Sequence, residues 1–299
     1  MSADAPHPAF EPYAAESVPQ SAVGAPGKEG RLELVFASTE SGTRLVHDFA
    51  QVPFHVTGEL DNDPHPDGVV VCVQSPSGGV VQGDRRTVTV TAQADAVAHV
   101  GTGGATRVKS MDRNYAATTT ALSVGAGAHL DYVPEPTIVH EDARYHSECT
   151  LTIKEDATAV VADIVVPGRL ARDEWFDFDR YYAELECYGP DGLLLTDTTH
   201  HRPEDVPDRP GELGEYAAYG TLYALVPAVS ADRLHQVARD ATDGDIQAGA
   251  TCLPNDAGVV VRAVGNRAES VTDALHAAWR GARQTAIDAP LPAGSGRAY

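Results

Sequence analysis

The sharpest chemical feature of the sequence is an aspartate that follows a run of glycines. Residues 76–85 read PSGGVVQGDR, so three glycines precede Asp84 within a few positions. Glycine allows positive φ angles and close approach of the backbone, which would place Asp84 at the tip of a rigid turn. The carboxylate could serve a cation, or it could cap its own turn through an Asx hydrogen bond. The segment lacks the GK[ST] end of a phosphate loop, and a strand pattern rather than a helix follows it, which argues against nucleotide binding.

Three further segments could present polar groups. Thr102 opens a run of small and hydroxyl residues that ends near Lys109. Glu135 stands between two prolines, which favour an extended, stiff backbone. Arg169 and Glu174 belong to a segment of mixed charge, for which a local salt-bridge network is the simplest interpretation.

The histidines do not form a metal motif. The chain has 12 of them, and His200-His201 is the one adjacent pair. Consecutive residues of a strand point to opposite faces, so this pair would chelate poorly. With no HxH or HExxH spacing, a permanent zinc or nickel site is not expected. No GxSxG elbow points to a hydrolytic triad either.

The charge balance restricts the partners. The formal net charge is −21, and only three of the 22 basic residues are lysines. Acid-rich, lysine-poor surfaces suit a cytoplasm of very high salt, which indicates a halophilic origin; a GC-rich genome that exchanges Lys for Arg is the alternative. This balance argues against nucleic acid and anionic membranes as partners. Without a long apolar run or a signal-peptide pattern, we expect a cytoplasmic protein.

Strand patterns dominate between two compositionally biased tails. We predict a disordered tail over 1–29, one domain over 30–288 and a second tail over 289–299. Alternation or short Val-rich runs predict strands at 31–37, 54–60, 68–74, 86–92 and 181–188. Helical spacing predicts helices at 231–241 and 268–286, the second burying Val271, Leu275, Ala278 and Trp279. Its Arg280 and Arg283 are expected to complement the helix dipole.

A weak repeat refines the expected fold. The same offsets recur at residues 90, 96, 98 and 100, at 122, 128, 130 and 132, and at 151, 157, 159 and 161. Recurrence at about this period is typical of stacked β-coils. We therefore predict a mainly β protein, a β-helix-like stack of short strands with a small helical part and a C-terminal amphipathic helix. Chance recurrence is the alternative, because Ala and Val are abundant.

Taken in order, these segments resemble the UreD family of urease accessory proteins, called UreH in some organisms. The family pattern PxGGxVxGD matches residues 76–84, and L-x-(Y/W)-(L/V)-P-(E/Q)-x-x-I matches residues 130–138. The Thr-rich segment at 102–107 follows the pattern except that Arg107 replaces the usual Lys. Gly168, Arg169 and Glu174 fit GRxxxxE, and Gly220-Thr221, the strand at 258–264 and the helix with Trp279 fit the later part.

The resemblance implies a non-enzymatic chaperone that serves as a scaffold in the urease activation complex. Family members bind the urease apoprotein and UreF, which in turn carries the GTPase UreG. Nickel is expected to pass through an internal passage to the urease active site, so no resident cofactor is implied. The family motifs make Asp84 and Glu174 candidates for lining that route, with Glu135, Arg169, Thr102, Lys109 and Thr221 as further binding candidates.

Two other classes compete with this interpretation. A β-helical hydrolase or lyase acting on carbohydrate would need paired carboxylates about 5–10 Å apart in an open groove. A structural β-helix that only binds other proteins would have no metal role.

Overall fold

The computed structural model describes residues 5–18, 27–202, 213–214, 216–241 and 246–294. Its strands are Glu29–Thr39 (β1), Gly42–Ala50 (β2), His55–Leu60 (β3), Gly68–Gln74 (β4), Arg85–Ala92 (β5), Val97–Thr102 (β6), Thr106–Val108 (β7), Ala116–Val124 (β8), His129–Tyr132 (β9), Thr137–Val139 (β10), Arg144–Ile153 (β11), Thr158–Val166 (β12), Arg180–Gly189 (β13), Gly192–His201 (β14), Ala218–Leu225 (β15), Ile246–Cys252 (β16) and Val259–Gly265 (β17). Its helices are Glu11–Ala14 (α1), Ala231–Asp240 (α2) and Ala268–Ile287 (α3), with short 3-10 turns at Pro8–Phe10, Leu170–Arg172 and Pro254–Asp256.

The strands form two facing sheets. Sheet A has the order β14-β13-β11-β8-β5-β1-β2, and sheet B has the order β16-β17-β15-β12-β9-β6-β4-β3. The inner pairs β1–β5–β8–β11–β13 and β4–β6–β9–β12 are parallel, and antiparallel strands close the ends. The chain passes from sheet A to sheet B and back once per coil, so the predicted β-helix-like stack is confirmed.

The sequence repeat corresponds to this stack. Val90 of β5 pairs with Leu122 of β8, which pairs in turn with Leu151 of β11. On sheet B, Ala98 pairs with Leu130 and Leu130 with Ala159. Equivalent positions of successive coils thus lie side by side, and the repeat is structural.

Polarity changes along the inward face of the central strands. In β8 and β11 the inward positions begin with small polar residues and end with apolar ones: Thr118, Thr120, Leu122 and Val124 in β8, and Ser147, Cys149, Leu151 and Ile153 in β11. The apolar ends pack into one core between the sheets. A second apolar cluster, which includes Phe178 and Tyr181, lies beyond the polar ends. The polar strip between the two clusters positions the candidate site.

Helix α3 covers the outside of sheet B as its spacing predicts. Val271, Leu275, Ala278 and Trp279 are all buried. Arg283 was expected to complement the helix dipole, but the last turn of α3 holds no basic residue, and the Arg283 side chain is completely buried. Its guanidinium bonds to Asp63, before β4, and to Asp131 of β9, and it therefore joins the helix to two parts of the β-stack.

The predicted tails are partly ordered. Residues 5–18, expected to be disordered, pack against sheet A because Phe10 supplies a fully buried apolar anchor beside Tyr115 and Tyr182. The Glu16 carboxylate accepts a hydrogen bond from Asn114 N at 2.6 Å. At the other end, Ala293 N donates to the Asn62 carbonyl. Residues 1–4, 19–26 and 295–299 lie outside the described residues, and the boundaries of the 30–288 domain stay a prediction.

Candidate functional site

An internal cavity of about 170 Å³ follows the polar strip between the sheets. Two rows of sheet A residues line it, each row crossing five neighbouring strands in register: Arg86, Thr118, Ser147, Ala183 and Thr199, then Val88, Thr120, Cys149, Leu185 and Asp197. Neighbouring strands lie about 4.8 Å apart, so five strands extend the cavity over roughly 20 Å along the stack. The repeat that builds the fold therefore also lines this cavity with rows of equivalent residues.

Asp163 of β12 is one of four carboxylates that line this cavity, with Glu135, Glu184 and Asp197. Its side chain is half-buried. The Tyr181 hydroxyl donates to Asp163 Oδ2 at 3.4 Å. Burial raises the pKa of Asp163 to about 6, although the Tyr181 hydrogen bond opposes the shift. This carboxyl therefore titrates closer to neutral pH than an ordinary aspartate.

Neutral oxygen and sulfur groups surround Asp163. Burial raises the pKa of five neighbouring phenols and one thiol, and the charge of Asp163 is a smaller cause in each case. These groups therefore stay protonated: Tyr132, Tyr145, Cys149, Tyr181, Tyr219 and Tyr223. The Tyr219 hydroxyl is buried without a hydrogen-bond partner in the described part of the chain. The surroundings are thus one ionisable carboxyl among neutral phenols and one neutral thiol.

The cavity borders three surface pockets through shared lining residues. At the β14 end, the cavity and a pocket of about 720 Å³ share four lining residues: Asp197, Thr199, Tyr219 and Thr221. We call this shared boundary the Asp197 mouth, and we name the other two boundaries in the same way. The Glu135 mouth shares Gly101, Thr102 and Glu135 with a pocket of about 240 Å³ below α3. The Arg86 mouth shares Phe54, Val73, Arg86, Thr102 and Thr106 with a pocket of about 300 Å³ below the glycine loops.

Three of the predicted site residues line the cavity. Thr102, Glu135 and Thr221 all border it, and Thr221 lies opposite Asp163 in the β12–β15 register. Glu135 N donates to Thr102 Oγ1 at 2.8 Å, and this hydrogen bond holds two residues of the Glu135 mouth together. Burial raises the pKa of Glu135, which favours the protonated form in the absence of a cation.

Asp84 does not border the cavity and instead caps its turn. Its carboxylate accepts hydrogen bonds from Lys28 N at 3.0 Å and from Val81 N at 3.1 Å. The side chain is 1 % exposed. The turn-capping interpretation describes this geometry, and a cation role for Asp84 stays a prediction.

Arg169 and Glu174 form the expected surface ion pair away from the cavity. Arg169 Nε donates to Glu174 Oε2 at 2.6 Å, and Arg169 Nη2 donates to Glu141 Oε1 at 2.9 Å. A Cβ on Gly168 would lie 2.1 Å from the Glu174 carbonyl oxygen, and Gly168 has φ +149°, so the motif needs glycine to close this turn. Lys109 stands nearby, its pKa lowered by burial and by Arg107, Arg169 and Arg172. A role for these residues in a nickel route stays a prediction.

Among the described residues, no three or more His, Cys, Asp or Glu side chains are arranged to hold a metal ion. The carboxylates that border the cavity are spread along it rather than gathered at one point. Likewise, no helix in the described ranges has the length and apolarity to cross a membrane.

The family model of the UreD urease accessory protein matches residues 28–295. The chain belongs to the UreD family. A urease accessory protein UreD of Haloarcula marismortui is 57 % identical over 100 % of both chains. Another from Natronomonas pharaonis is 43 % identical over 95 % of this chain and 97 % of its own, and UreD 2 of Brucella suis is 32 % identical over 91 % and 93 %.

UreD membership gives the chain a role in urease maturation, in partnership with components of the urease complex. It also agrees with the expectation of an accessory protein rather than an enzyme. The 57 % identical relative comes from a halophilic archaeon, which fits the acid-rich and lysine-poor composition.

Sequence reasoning missed Asp163 and Arg86, two charged side chains that line the cavity in this UreD chain. Asp163 lies in a Val-rich strand, where the sequence pattern does not distinguish it from an ordinary outward-facing polar residue. The signal was available in the repeat: the inward positions of β8 and β11 turn polar two and four residues before the repeated apolar position. Aligning β12 by its own repeat would have placed Asp163 two residues beyond the inward Val161.

Proposed function

We propose that the protein is a cytoplasmic scaffold of the urease activation complex that binds the urease apoprotein and UreF and passes nickel ions through its internal cavity. UreG would join through UreF and supply the GTP chemistry. The observation that carries this proposal is the cavity, which Asp163 lines and which shares Asp197 and Glu135 with two of the adjoining pockets. The protein itself would perform no covalent step.

The lining suits transit rather than storage. Carboxylate, hydroxyl and water oxygens bind a divalent cation weakly enough to release it, whereas a cage of His and Cys would retain nickel. Asp163 would exchange its proton for the arriving ion and recover a proton from water when the ion leaves. The net charge of −21 raises the local concentration of cations near the surface.

The charges at the three mouths indicate which two of them the proposed route connects. The Glu135 mouth presents a carboxylate, and the Asp197 mouth presents Asp197 paired with the guanidinium of Arg262. The pocket at the Arg86 mouth is lined by Arg86 and Arg107 and by no Asp or Glu. Coulomb repulsion disfavours a divalent cation there, so the proposed route runs between the Asp197 and Glu135 mouths.

A carbohydrate-acting hydrolase fits the cavity less well. Such an enzyme needs two carboxylates facing each other across an open groove. Here phenols surround the Asp163 carboxyl. The cavity of about 170 Å³ also leaves little room for a sugar chain.

Deletion of the gene and its restoration in the same cells tests the proposed function. We expect urease from the deletion strain to be isolated as an apoprotein with less than about a tenth of the nickel found after restoration. Tagged protein should retain the urease subunits and UreF from lysate at high salt. Full nickel content in the deletion strain would contradict the proposal, and so would the absence of both partners from the retained material.

A further inference from the structure

Arg86 is a buried cation that the proposed nickel route does not use. Its side chain is only 6 % exposed. In the described part of the chain it makes a single hydrogen bond, from Nη2 to the Gly79 carbonyl at 3.2 Å. Its Nε is buried without a partner. A guanidinium has five N–H donors, so most of the donors of Arg86 are unused.

Asp84 forms an ion pair with Arg86 but no hydrogen bond. The distance from Arg86 Nη2 to Asp84 Oδ2 is 4.0 Å, which is beyond hydrogen-bond range. Both Asp84 oxygens already accept backbone N–H groups. Burial lowers the pKa of Arg86, opposed by Tyr145 and Asp84, yet a guanidinium remains charged in a protein. A buried charge with so few partners is costly unless something else binds it.

A pocket beside Arg86 has room for a group that binds its guanidinium. It has about 300 Å³, and polar or backbone groups from the loops on either side of it form much of the wall: Gln74, Ser75, Gly78, Gly79, Thr102, Gly103, Gly104, Ala105, Thr106 and Arg107. No Asp or Glu lines it, in a chain with 43 acidic residues. Within the described residues, the N–H groups of Gly79, Gly104 and Ala105 donate no hydrogen bond.

Close backbone packing shapes the wall. Gly79 has φ +139°, and a Cβ there would lie 2.4 Å from the Arg107 carbonyl oxygen. Only glycine allows the loop to approach this closely. Successive backbone N–H groups in such turns form concave sites that attract anions.

We propose that this pocket, which we call the anion pocket, binds a small oxyanion that pairs with the guanidinium of Arg86. The fork of a guanidinium matches carboxylate, carbonate and phosphate groups through two parallel hydrogen bonds. Arg107 at the exposed rim adds a second positive charge, and the hydroxyl of Thr106 adds a donor. The proposal does not depend on the nickel route.

The test compares two substitutions that leave Arg86 untouched. Gly104 has no positive φ, and a Cβ there meets no atom within 4 Å, so Gly104→Asp and Gly104→Asn should both fold. Calorimetric titration of each purified protein with bicarbonate, phosphate or acetate, at constant KCl, distinguishes the three sources of the oxyanion. We expect at least one of them to bind the unmodified chain, and Gly104→Asp to bind it at least about tenfold more weakly than Gly104→Asn, because the added carboxylate repels the anion.

Substitution of the arginines gives the second measurement. Arg86→Lys keeps the charge and loses the fork, so at least about fivefold weaker binding is expected. Arg107→Met should weaken binding less, and Arg113→Met, at an exposed arginine outside the pocket, should not change it. No binding of any of the three anions to the unmodified chain would overturn the proposal, as would equal affinities of Gly104→Asp and Gly104→Asn.

Discussion

Replacement of Asp163 by Asn is expected to raise the free energy of unfolding at pH 8 by about 2–3 kcal/mol and to lower the nickel content of the urease that matures with it. The pKa of Asp163 rises from its usual 3.8 to about 6 through burial. At pH 8 the folded protein therefore carries an ionised group that its surroundings disfavour. Asn has nearly the same shape and no charge, so it removes this penalty.

The sign of the effect gives a pH window. Because the folded state binds the Asp163 proton more tightly than the unfolded state, the carboxyl favours folding below about pH 4 and this contribution is lost as the pH rises to about 6. The stability difference between the variant and the unmodified chain should thus be small at pH 4 and reach its plateau above pH 6. Denaturant unfolding between pH 4 and 8 measures it, with Glu155→Gln at an exposed site as the control.

The functional part of this prediction has the opposite sign. An amide cannot exchange a proton for a cation, so nickel transfer should decrease although the protein is more stable. A variant that gained stability and supported full nickel loading would show that Asp163 is dispensable for transit. A variant that lost stability at pH 8 would contradict the assigned protonation.

Replacement of Arg283 by Met is expected to destabilise the protein by about 3–5 kcal/mol, because it leaves buried carboxylates without their cation. Arg283 bonds to both oxygens of Asp63, at 2.7 Å for Oδ2, and also to Asp131. The Trp279 indole N–H donates to Asp131 Oδ1 at 2.7 Å. Burial alone would raise the pKa of Asp131, but the charges of His129, Arg283 and His99 outweigh it and lower that pKa.

Arg280 provides a matched control on the same helix. It is exposed, so Arg280→Met should change the free energy of unfolding by less than about 0.5 kcal/mol. The triple replacement Asp63→Asn, Asp131→Asn, Arg283→Met should recover part of the lost stability, since it removes both carboxylates that Arg283 pairs with. Equal stabilities of Arg283→Met and Arg280→Met would contradict the assigned network.

Local patterns predicted much of this fold. The strand at 68–74 and the helix at 268–286 were placed within one residue, because alternation and helical spacing report directly on which side chains are buried. The repeat predicted the stacking because parallel coils place equivalent residues side by side. Residues 5–18 were misjudged, since a few well-placed side chains such as Phe10 can order a segment of unfavourable composition.

The site was only partly predictable. Thr102, Glu135 and Thr221 were named from motifs and do border the cavity. Asp163, Arg86 and Arg283 depend on contacts between residues far apart in the chain, which no local pattern records. A buried charge is identified by what surrounds it, and those surroundings arise only when the coils stack.

The nickel content of urease from cells carrying Thr120→Trp, compared with Thr119→Trp, tests the central claim most directly. Thr120 lines the cavity, and its neighbour Thr119 is exposed on the outer face of sheet A. The indole of Thr120→Trp would fill the passage while leaving the surface unchanged, whereas Thr119→Trp adds the same side chain outside. Thermal unfolding and retention of the urease subunits would verify that both variants fold and assemble. We expect Thr120→Trp to lower the nickel per urease active site at least about tenfold and Thr119→Trp to leave it at the unmodified level; full nickel loading by a folded, assembled Thr120→Trp protein would contradict the internal route.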